Sequence, residues 1–521
     1  MLLRSTLPLT LAALVAAQSP SSEPCAIVAS EFATFQSIPA QLAFDCLESV
    51  PVDVQGNTQL IDELKQLWQF QSELVWLKNP GSEWEYGAMD LLKELDNVKS
   101  NINSFSSEYA LQLAIQNITI KTGNFHFNYR PDILEVFNWG RAISVASISQ
   151  DGKALPKLYV ADDVALLAAS SKDISEITEI NGQKPYDFLK SASRSQYIDS
   201  DGLINDMLAK GDTENAGSFM SQSTYDGNIT EITWANGTTA SFPNIVSSER
   251  NFAGVTDGKS FFNTFCKGHD ESEQSMRKRA ETGAVTNHFL SRRALGQTPT
   301  IPTGVYHSRN KRQMPSATYP SAVAEASSGV VAGYFLNGKG YEDVAVLKII
   351  SFNNPTTFMD ETDFNNEFQS TVASFLRQCI SAKKQKLIID LRENGGGNTN
   401  LLIDAFMQLF PDMEAFSGQR YRASDPFIKI GNVVNEIMGD PAKNSAFKQM
   451  TEDSMDQSDL YRFWLWDHFR NSEGVEFTSW DDLNGPVLVN NDKYTATMRY
   501  NVRLHTPPTP LTRNPTTNTR F

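Results

Sequence analysis

The sequence predicts a protein that mixes helices and strands, with an α/β core inside a chain that is α+β as a whole. Residues 386–411 run from an apolar strand through a glycine-rich loop into a helix. Residues 18–110 carry apolar side chains at helical spacing, and in residues 111–270 the spacing shifts towards two. We therefore expect a helical N-terminal region, a β-rich region, and a core organised around the glycine-rich loop.

The strand of this core is the run Leu-Ile-Ile at residues 387–389, which ends at Asp390. A continuous apolar run of this length is typical of a strand buried on both faces in a parallel sheet. Residues 394–397 (Asn-Gly-Gly-Gly) then break the strand and leave the backbone bare. Asn398 or Thr399 can cap the helix that follows, in which apolar residues repeat at helical spacing up to Pro411.

A bare loop between a strand and a helix N-terminus directs backbone N–H groups at one spot. Such a spot suits a phosphate, a carboxylate or the oxyanion of a tetrahedral intermediate. Glycine-rich turns also join strands to helices in many α/β folds without forming a site, and the pattern alone leaves that alternative open. The loop NGGGNT has neither the lysine of GxxxxGK[ST] nor the spacing of GxGxxG, so no nucleotide cofactor is predicted.

Composition excludes some classes of partner. The 521 residues include 45 Lys and Arg against 61 Asp and Glu, which gives a formal net charge of −16. Nucleic acid and anionic membrane surfaces repel an acidic protein, so neither is an expected partner. A hydrophobic content of 40% is ordinary for a globular protein, and the length predicts two or three domains.

The N-terminus has the features of a signal peptide. Arg4 precedes a short apolar stretch at 7–15, and small residues at 15–17 offer a cleavage site before Gln18. We therefore predict that residues 1–17 are removed and that the protein is secreted or enters the lumen of the secretory pathway. No other segment approaches the roughly 20 apolar residues of a membrane span. Sequons for glycosylation agree with this route and stand at Asn117, Asn228 and Asn236.

The four cysteines allow three pairings. A bridge between Cys25 and Cys46 is preferred, because both lie in one short segment that enters an oxidising compartment. Cys266 and Cys379 would then form the second bridge. No CxxC, HExxH or cluster of histidines and cysteines predicts a metal site.

The rest of the chain divides by composition. Within residues 111–270, Ile115, Ile118 and Ile120 open the part assigned to strands, and Asn181-Gly182 forms a turn between a strand and a short helix. Residues 271–325 are a basic Ser/Thr/Pro-rich linker with dibasic pairs, either solvated or cut during secretion. Residues 326–503 form the core with two strands and a helix ahead of the loop, and 504–521 form a Thr/Pro-rich disordered tail.

Four segments together carry a resemblance to a known family. LIIDLRENGGGN, YEDVAVLKIISF, FHFNYRPDILEVFNWGR and SISQDGKALPKLYV, with the early cysteine pair, resemble the tail-specific, or C-terminal-processing, serine peptidases of family S41. The closer resemblance is to the secreted fungal branch, which is similar to the chlamydial protease-like activity factor. The strand, Asn-Gly turn and helix around residue 181 also resemble part of a PDZ-type peptide-binding module; a plain hairpin followed by a helix is the other interpretation.

The resemblance implies a ClpP/crotonase-like ββα catalytic core, a PDZ-like element and serine-dependent peptide hydrolysis. It implies that the N–H of Gly395 or Gly396 forms part of an oxyanion hole. It also places His126 where the family has its general base, although Asn124 and Phe125 replace two residues of the family's DGHF-like motif. A histidine between two phenylalanines on a strand can equally be a core residue.

The catalytic serine that the family requires is not identified. None of the serines after the loop lies in a GxSxG elbow or among small residues. We therefore expect this chain to end before the nucleophile, either as a shortened copy of a peptidase or as a relative that binds peptides without cleaving them. Some fungal relatives accompany clusters that make ribosomal cyclic peptide toxins of the phomopsin and ustiloxin type. The resemblance thus suggests a peptide or precursor-peptide substrate in mycotoxin biosynthesis, and leaves the oligomeric state open.

Overall fold

The computed structural model describes residues 23–149, 151–164, 174–210, 216–267, 319–356, 358–392, 394–411, 413, 415–445 and 464–500. The predicted signal peptide at 1–17, the tail at 504–521 and the predicted linker up to residue 318 lie outside them. Within the described residues the helices are Pro24–Phe32, Ala40–Glu48, Val54–Leu67, Leu74–Lys78, Leu91–Ser100, Glu108–Ile120, Pro185–Ala192, Ser200–Met207, Gly217–Met220, Gly258–Phe261, Glu361–Ser381, Thr399–Leu409, Asp425–Gly439 and Trp480–Asn484.

The described strands fall into several small sheets. In chain order they are β1 Ser37–Pro39, β2 Asn138–Gly140, β3 Val145–Ile148, β4 Lys157–Val160, β5 Ile177–Ile180, β6 Ser221–Gln222, β7 Ile229–Trp234, β8 Thr239–Pro243, β9 Ile245–Ser247, β10 Ala324–Glu325, β11 Val331–Phe335, β12 Val344–Ile349, β13 Lys386–Asp390, β14 Phe469–Arg470, β15 Val487–Val489, β16 Asp492–Tyr494 and β17 Arg499–Tyr500. The mixed α+β class is therefore confirmed.

The N-terminal region is helical, as expected, and its helices continue further than predicted. Helix Glu108–Ile120 begins at Ser107, whose hydroxyl accepts the N–H of Ala110 at 3.1 Å. Ile115 and Ile118 are buried on one face of this helix, so the expected change to strand spacing at these positions is wrong. Their separation of three residues fits a helix face as well as it fits an irregular strand.

The disulfide between Cys25 and Cys46 is confirmed, with Cα atoms 4.5 Å apart. It joins helices Pro24–Phe32 and Ala40–Glu48 inside a buried apolar cluster. The expected second bridge is wrong, because Cys266 and Cys379 are both free thiols. Cys379 lies in the core beneath β11 and β12, whereas Cys266 packs against the cluster that holds Cys25, so two separate cores keep them apart.

The β-rich region contains the predicted succession of strand, turn and helix. β5 pairs antiparallel with β7, and β7 with β8. The turn after β5 is held by Asn181, whose Oδ1 accepts the N–H of Glu231 at 2.7 Å. Helix Pro185–Ala192 follows with a proline in its first turn, which is the position a helix tolerates best. Leu189 then packs in a core shared with β5 and β7.

The sheet that carries the glycine-rich loop has the order β10, β11, β12, β13. β11 and β12 are antiparallel, and β12 and β13 are parallel, with Lys348 opposite Asp390. The parallel pairing of β13 is confirmed, but its burial on both faces is wrong: Ile388 is 49% exposed and Ile389 is 42% exposed. Helix Glu361–Ser381 packs over β10 and β11 instead, which leaves β13 at the edge of the described sheet.

The sheet also begins earlier than expected. β10 at Ala324–Glu325 pairs with β11, although residues up to 325 were assigned to a linker. Just before it, Tyr319 stacks on Tyr334 of β11 with ring centroids 4.4 Å apart. The last part of the predicted linker therefore belongs to the folded core, because a stretch with no clear periodicity can still pair with a neighbouring strand.

The C-terminal part of the described chain contacts the N-terminal helices. Arg422 forms an ion pair with Asp492 at 2.6 Å and donates from Nη1 to the carbonyl oxygen of Gln69 at 2.7 Å. The hydroxyl of Tyr494 donates to the carbonyl oxygen of Ser72 at 2.5 Å. These bonds join residues more than 350 positions apart and fix the two regions against each other. In the described residues no helix is both long and apolar enough to span a membrane.

Candidate functional site

The glycine-rich loop connects β13 to helix Thr399–Leu409. Asn398 caps the helix, as expected, by accepting the N–H of Asn400 on its side-chain oxygen at 3.0 Å. Gly395, Gly396 and Gly397 are all exposed, so packing does not cover the loop. A cradle of main-chain amides at the end of a strand is therefore open to solvent, as an anion site requires.

Three hydrogen bonds hold the loop to the end of β12 and to the segment that follows it. Asn394 donates from Nδ2 to the carbonyl oxygen of Ile349 at 3.0 Å. The N–H of Phe352 donates to the carbonyl oxygen of Gly396 at 2.9 Å, and the carbonyl oxygen of Phe352 accepts the N–H of Asn398 at 3.1 Å. The loop is thus paired with the neighbouring chain on both sides of Gly397.

Gly397 permits this close approach. Its φ is +134°, a conformation that side chains with a Cβ rarely adopt. A Cβ on Gly397 would stand 2.5 Å from the carbonyl carbon of Phe352. The glycine is therefore required by the pairing of the loop with its neighbour.

The main-chain N–H groups of the loop differ in whether they already donate a hydrogen bond. The N–H of Gly396 already donates to Oδ1 of Asn394 at 2.7 Å, so as an oxyanion donor it would first have to break that bond. Among the described residues no acceptor faces the N–H of Gly395 or the N–H of Gly397. Gly395 remains a candidate donor, and Gly397, which the sequence did not single out, becomes the second candidate.

A polar cluster lies at the strand end just before the loop. Asp390 is 6% exposed and accepts from Arg392 twice, from Nε at 2.9 Å and from Nη2 at 2.8 Å. Its Oδ2 also accepts from the hydroxyl of Tyr319. The Arg392 guanidinium, followed by the Tyr319 hydroxyl, holds the pKa of Asp390 well below its usual range despite burial of the carboxyl. The carboxylate is therefore ionised, and no local sequence pattern indicated its partner Tyr319.

His126 lies on a turn and not on a strand. Its N–H donates to Oδ1 of Asn124 at 2.9 Å, while the next residue, Phe127, is buried against Trp68 with ring centroids 4.9 Å apart. Because the side chain of His126 is exposed, the alternative that it is a core residue is wrong. Within the described residues no hydrogen bond or ion pair joins His126 to the glycine-rich loop.

The turn that carries His126 borders a cavity between the N-terminal helices and the C-terminal part of the chain. Asn124 Nδ2 donates to Glu73, and both residues line this cavity of about 410 Å³. Arg420 and Tyr494 of the C-terminal part also line it, as does the half-exposed Trp76 of helix Leu74–Lys78. The turn of His126 therefore faces the same C-terminal region that follows the glycine-rich loop in sequence.

No described serine after the loop has the setting of a nucleophile. Ser424 and Ser479 cap helices Asp425–Gly439 and Trp480–Asn484, and Ser472 donates to Glu473 at 2.8 Å. Ser417 and Ser445 are exposed, while Ser454 and Ser458 lie outside the described residues. The part of the chain that the structure describes also holds no group of three His, Cys, Asp or Glu side chains able to bind a metal.

The three predicted glycosylation asparagines differ in accessibility. Asn117 lies inside helix Glu108–Ile120 and its Oδ1 accepts from Arg194 at 2.7 Å, which opposes attachment of a glycan to the folded chain. Asn228 is exposed, although Thr230 of its sequon is fully buried. Asn236 lies on the exposed turn between β7 and β8, where its Oδ1 accepts the N–H of Thr238 at 3.0 Å. Glycosylation remains a prediction, with Asn236 the most accessible position.

Two family models match the chain. A CPAF-like PDZ domain matches residues 138–253, which include β2 to β9. Peptidase family S41 matches residues 343–497, which begin just before β12 and include the glycine-rich loop. No solved structure matches the chain.

Three fungal proteins are similar to parts of the chain. Peptidase S41 family protein phomP1' of Diaporthe leptostromiformis is 28% identical over 417 residues, which cover 76% of this chain and 56% of the relative. Peptidase S41 family protein phomP1 of the same fungus is 27% identical over the same shares. Peptidase S41 family protein ustP of Aspergillus flavus is 28% identical over 171 residues, 33% of this chain and 32% of the relative. The chain thus spans about half the length (56%) of the first two relatives.

The two matched regions coincide with the two parts of the fold described above. The strand, exposed glycine-rich loop and capped helix lie inside the region matched to the peptidase family, and the sheet with the turn at Asn181 lies inside the region matched to the PDZ domain. Residues 343–497 are therefore similar to peptidase family S41, and residues 138–253, ahead of them in the chain, are similar to a CPAF-like PDZ domain.

Proposed function

We propose that the protein is a serine-type peptidase and that its glycine-rich loop stabilises the oxyanion formed during peptide-bond cleavage. The observation that carries this proposal is the pair of exposed N–H groups at Gly395 and Gly397, which face no acceptor among the described residues. The match of residues 343–497 to peptidase family S41 supports it. The match covers only 56% of the length of the first two relatives, so the peptidase activity of the whole protein is a proposal.

In the proposed reaction a serine hydroxyl attacks the carbonyl carbon of the scissile bond. His126 takes the hydroxyl proton, and the carbonyl oxygen becomes an anion that accepts from the two loop amides. The C–N bond then breaks, and the imidazolium returns the proton to the departing amine. Water hydrolyses the acyl-enzyme by the same route. Arg422 and Tyr494 support this role for His126, because they fix the peptidase region against helices next to the turn that carries it.

We propose a peptide or a precursor peptide as the substrate, handled outside the cell or in the secretory lumen. The Cys25–Cys46 disulfide supports an oxidising compartment. Resemblance to the fungal branch supports a role in processing a precursor for a ribosomal peptide mycotoxin. Comparing the mass of the precursor in strains with and without the gene tests this role. Loss of the processed mass in the deletion strain supports it, and unchanged processing contradicts it.

The proposed secretion has its own test. Recovery of the protein from the culture medium with Gln18 as its first residue supports the predicted signal peptide. Recovery only inside the cell, with residues 1–17 retained, contradicts it. This test does not depend on whether the protein cleaves peptides.

A second candidate function is peptide binding without cleavage. The observation that favours it is that, of the described serines after the loop, Ser424 and Ser479 cap helices and Ser472 donates to Glu473. Labelling of the purified protein with a fluorophosphonate probe, together with a peptide-binding measurement, separates the two functions. Covalent labelling at a single serine supports the peptidase, whereas binding of peptides without labelling supports the non-catalytic protein.

A further inference from the structure

The cluster of Tyr319, Asp390 and Arg392 spans three strands of the sheet. Tyr319 stacks on Tyr334 of β11, and the ammonium of Lys348 on β12 lies 5.8 Å from the centre of the Tyr319 ring. The hydroxyl of Tyr319 donates to Asp390 at the end of β13 and accepts from Nη2 of Arg392 at 3.1 Å. One aromatic side chain from outside the matched peptidase region thus reaches the strand end from which the glycine-rich loop starts.

Arg392 forms a bidentate pair of hydrogen bonds with the Asp390 carboxylate. Its Nε and Nη2 approach the two carboxylate oxygens of Asp390 separately, and its own N–H donates to Oδ1 at 3.1 Å. Paired hydrogen bonds of this kind fix orientation as well as adding energy. Asp390 therefore accepts four hydrogen bonds from two side chains and the main chain, which restrain the conformation of residues 390–392.

The loop begins directly after this restricted stretch. The N–H of Asn394 donates to the carbonyl oxygen of Leu391 at 3.0 Å, so the turn into the loop starts from the residue between Asp390 and Arg392. Asn394 in turn holds the N–H of Gly396 at 2.7 Å. A chain of contacts therefore runs from the Tyr319 hydroxyl to the amides of the loop.

We propose that Tyr319 and Arg392 are positioning residues that hold the glycine-rich loop in its anion-binding conformation through the ionised carboxylate of Asp390. This inference rests on the proposed function for its purpose, since the conformation matters for catalysis only if the loop binds an oxyanion. It extends the site to a residue that lies 71 positions before Asp390 in sequence.

The conformation of the loop should depend on pH through Asp390 and the titratable side chains around it. Asp390 faces Arg392 and Tyr319, and further out lie Lys348 on β12, Tyr334 on β11 and Glu325 on β10. Because the pKa of Asp390 is lowered in the fold, its stabilising effect is present at neutral pH and is lost as pH falls through that lowered pKa. Removing a donor raises the pKa of Asp390 and moves the loss to higher pH.

Hydrogen exchange of the loop amides in the full chain tests the proposal without a measurement of activity. The amides to follow are those of Asn394, Gly396 and Asn398, which have acceptors within the loop and its neighbour. In Tyr319→Phe, which keeps the ring but loses the hydroxyl, we expect protection of these amides to fall about tenfold at neutral pH. The matched control is Tyr341→Phe, at a tyrosine that is 59% exposed, and its protection is expected to stay unchanged.

The pH profile separates positioning from a general loss of stability. In the unsubstituted chain we expect loop protection to hold down to about pH 3, below the ordinary Asp pKa of about 3.9. In Arg392→Gln the fall is expected between about pH 5 and pH 3. In Asp390→Asn, which cannot titrate, protection is expected to be low and independent of pH over the same range.

Protection in Tyr319→Phe and Arg392→Gln that matches Tyr341→Phe at every pH would overturn the proposal. A fall by one constant factor at every pH in all three cluster variants would also overturn it, because a merely structural role predicts that result. Failure of the proposed function gives a different result. In that case the exchange pattern appears as expected, but no peptide is cleaved and no fluorophosphonate is bound.

Discussion

Asn394 bonds the main chain of Ile349 through its Nδ2 at 3.0 Å and so joins the glycine-rich loop to the end of the neighbouring strand β12. The opposite side of the same amide, Oδ1, accepts the N–H of Gly396. One side chain therefore holds the loop against the sheet and shapes the turn inside it. These two hydrogen bonds explain how a loop with three exposed glycines keeps a defined conformation.

Replacing Asn394 by alanine removes both bonds of its side chain. We expect the loop to lose about 1–3 kcal/mol of local stability, since each lost bond leaves a main-chain partner without its hydrogen bond. Asn394→Asp keeps the acceptor for Gly396 but turns a carboxylate oxygen towards the carbonyl oxygen of Ile349, so it should also lower the local stability of the loop. Hydrogen exchange of residues 394–398 measures both, and Asn400→Ala, at an exposed position in the same segment, is the control. Equal exchange in all three variants would contradict this role of Asn394.

Gly397 and Gly396 should respond differently to alanine. In Gly397→Ala the new Cβ meets the Phe352 main chain at 2.5 Å and φ is +134°, so we expect a loss of about 3 kcal/mol or more in the free energy of unfolding. In Gly396→Ala the Cβ points into open space and φ is +90°, so about 1 kcal/mol is expected. Urea denaturation of both variants measures the two losses in the free energy of unfolding. If Gly396→Ala proves the more destabilising of the two, the pairing of the loop with Phe352 is not as described.

Local patterns predicted this part of the fold because each signal is confined to a few neighbouring residues. The strand, the glycines and the cap at Asn398 follow from spacing and turn chemistry within residues 386–411. The exposure of Ile388 could not be predicted, since it depends on which helices cover the sheet. The bond from Tyr319 to Asp390 joins residues 71 positions apart and leaves no trace in the sequence around either of them.

Three further predictions differ from the structure for similar reasons. Spacing of three residues between Ile115 and Ile118 suits a helix, but mixed with Ile120 it also resembled an irregular strand. Pairing Cys266 with Cys379 followed from counting cysteines, and counting carries no information about the separate cores in which they lie. His126 was placed on a strand because aromatic residues flank it, whereas Asn124 turns the chain there by accepting the His126 N–H.

Cysteine chemistry gives a direct test of the two free thiols. Under denaturing, non-reducing conditions we expect two of the four cysteines to react with a thiol reagent, namely Cys266 and Cys379. Removing the bridge in the double variant Cys25→Ala, Cys46→Ala should cost about 3 kcal/mol in the free energy of unfolding, because the bridge closes a loop of 21 residues. Peptide mapping that finds all four cysteines oxidised would contradict the assignment.

The buried guanidinium of Arg141 should be the most sensitive charged position of the region matched to the PDZ domain. It is 1% exposed, donates from Nη1 to the Phe219 carbonyl oxygen at 2.7 Å, and pairs with Asp226. Burial lowers the pKa of Arg141 and raises the pKa of Asp226, so each needs the other to remain charged. We expect Arg141→Met to cost on the order of 3 kcal/mol, because it removes the guanidinium partner of Asp226 and the donor to the Phe219 carbonyl oxygen.

The control for this prediction is Arg130→Met. Arg130 pairs with Glu135 at 2.5 Å, but both side chains are substantially exposed, at 42% and 33%. An exposed pair of this kind contributes less than about 1 kcal/mol. Thermal unfolding of the two variants compares them, and equal melting temperatures would show that Arg141 contributes no more than a surface charge.

The central claim is that the exposed amides of the glycine-rich loop, together with His126, carry out peptide hydrolysis. Its most direct test measures cleavage of a fluorogenic peptide by the purified protein and by Gly395→Pro, which removes one unbonded N–H, and His126→Ala. We predict a fall in kcat of about a hundredfold or more for each variant. Lys121→Ala, at an exposed position five residues before His126, is expected to retain full activity. Full activity in both Gly395→Pro and His126→Ala, or no cleavage by the unsubstituted protein, would contradict the account.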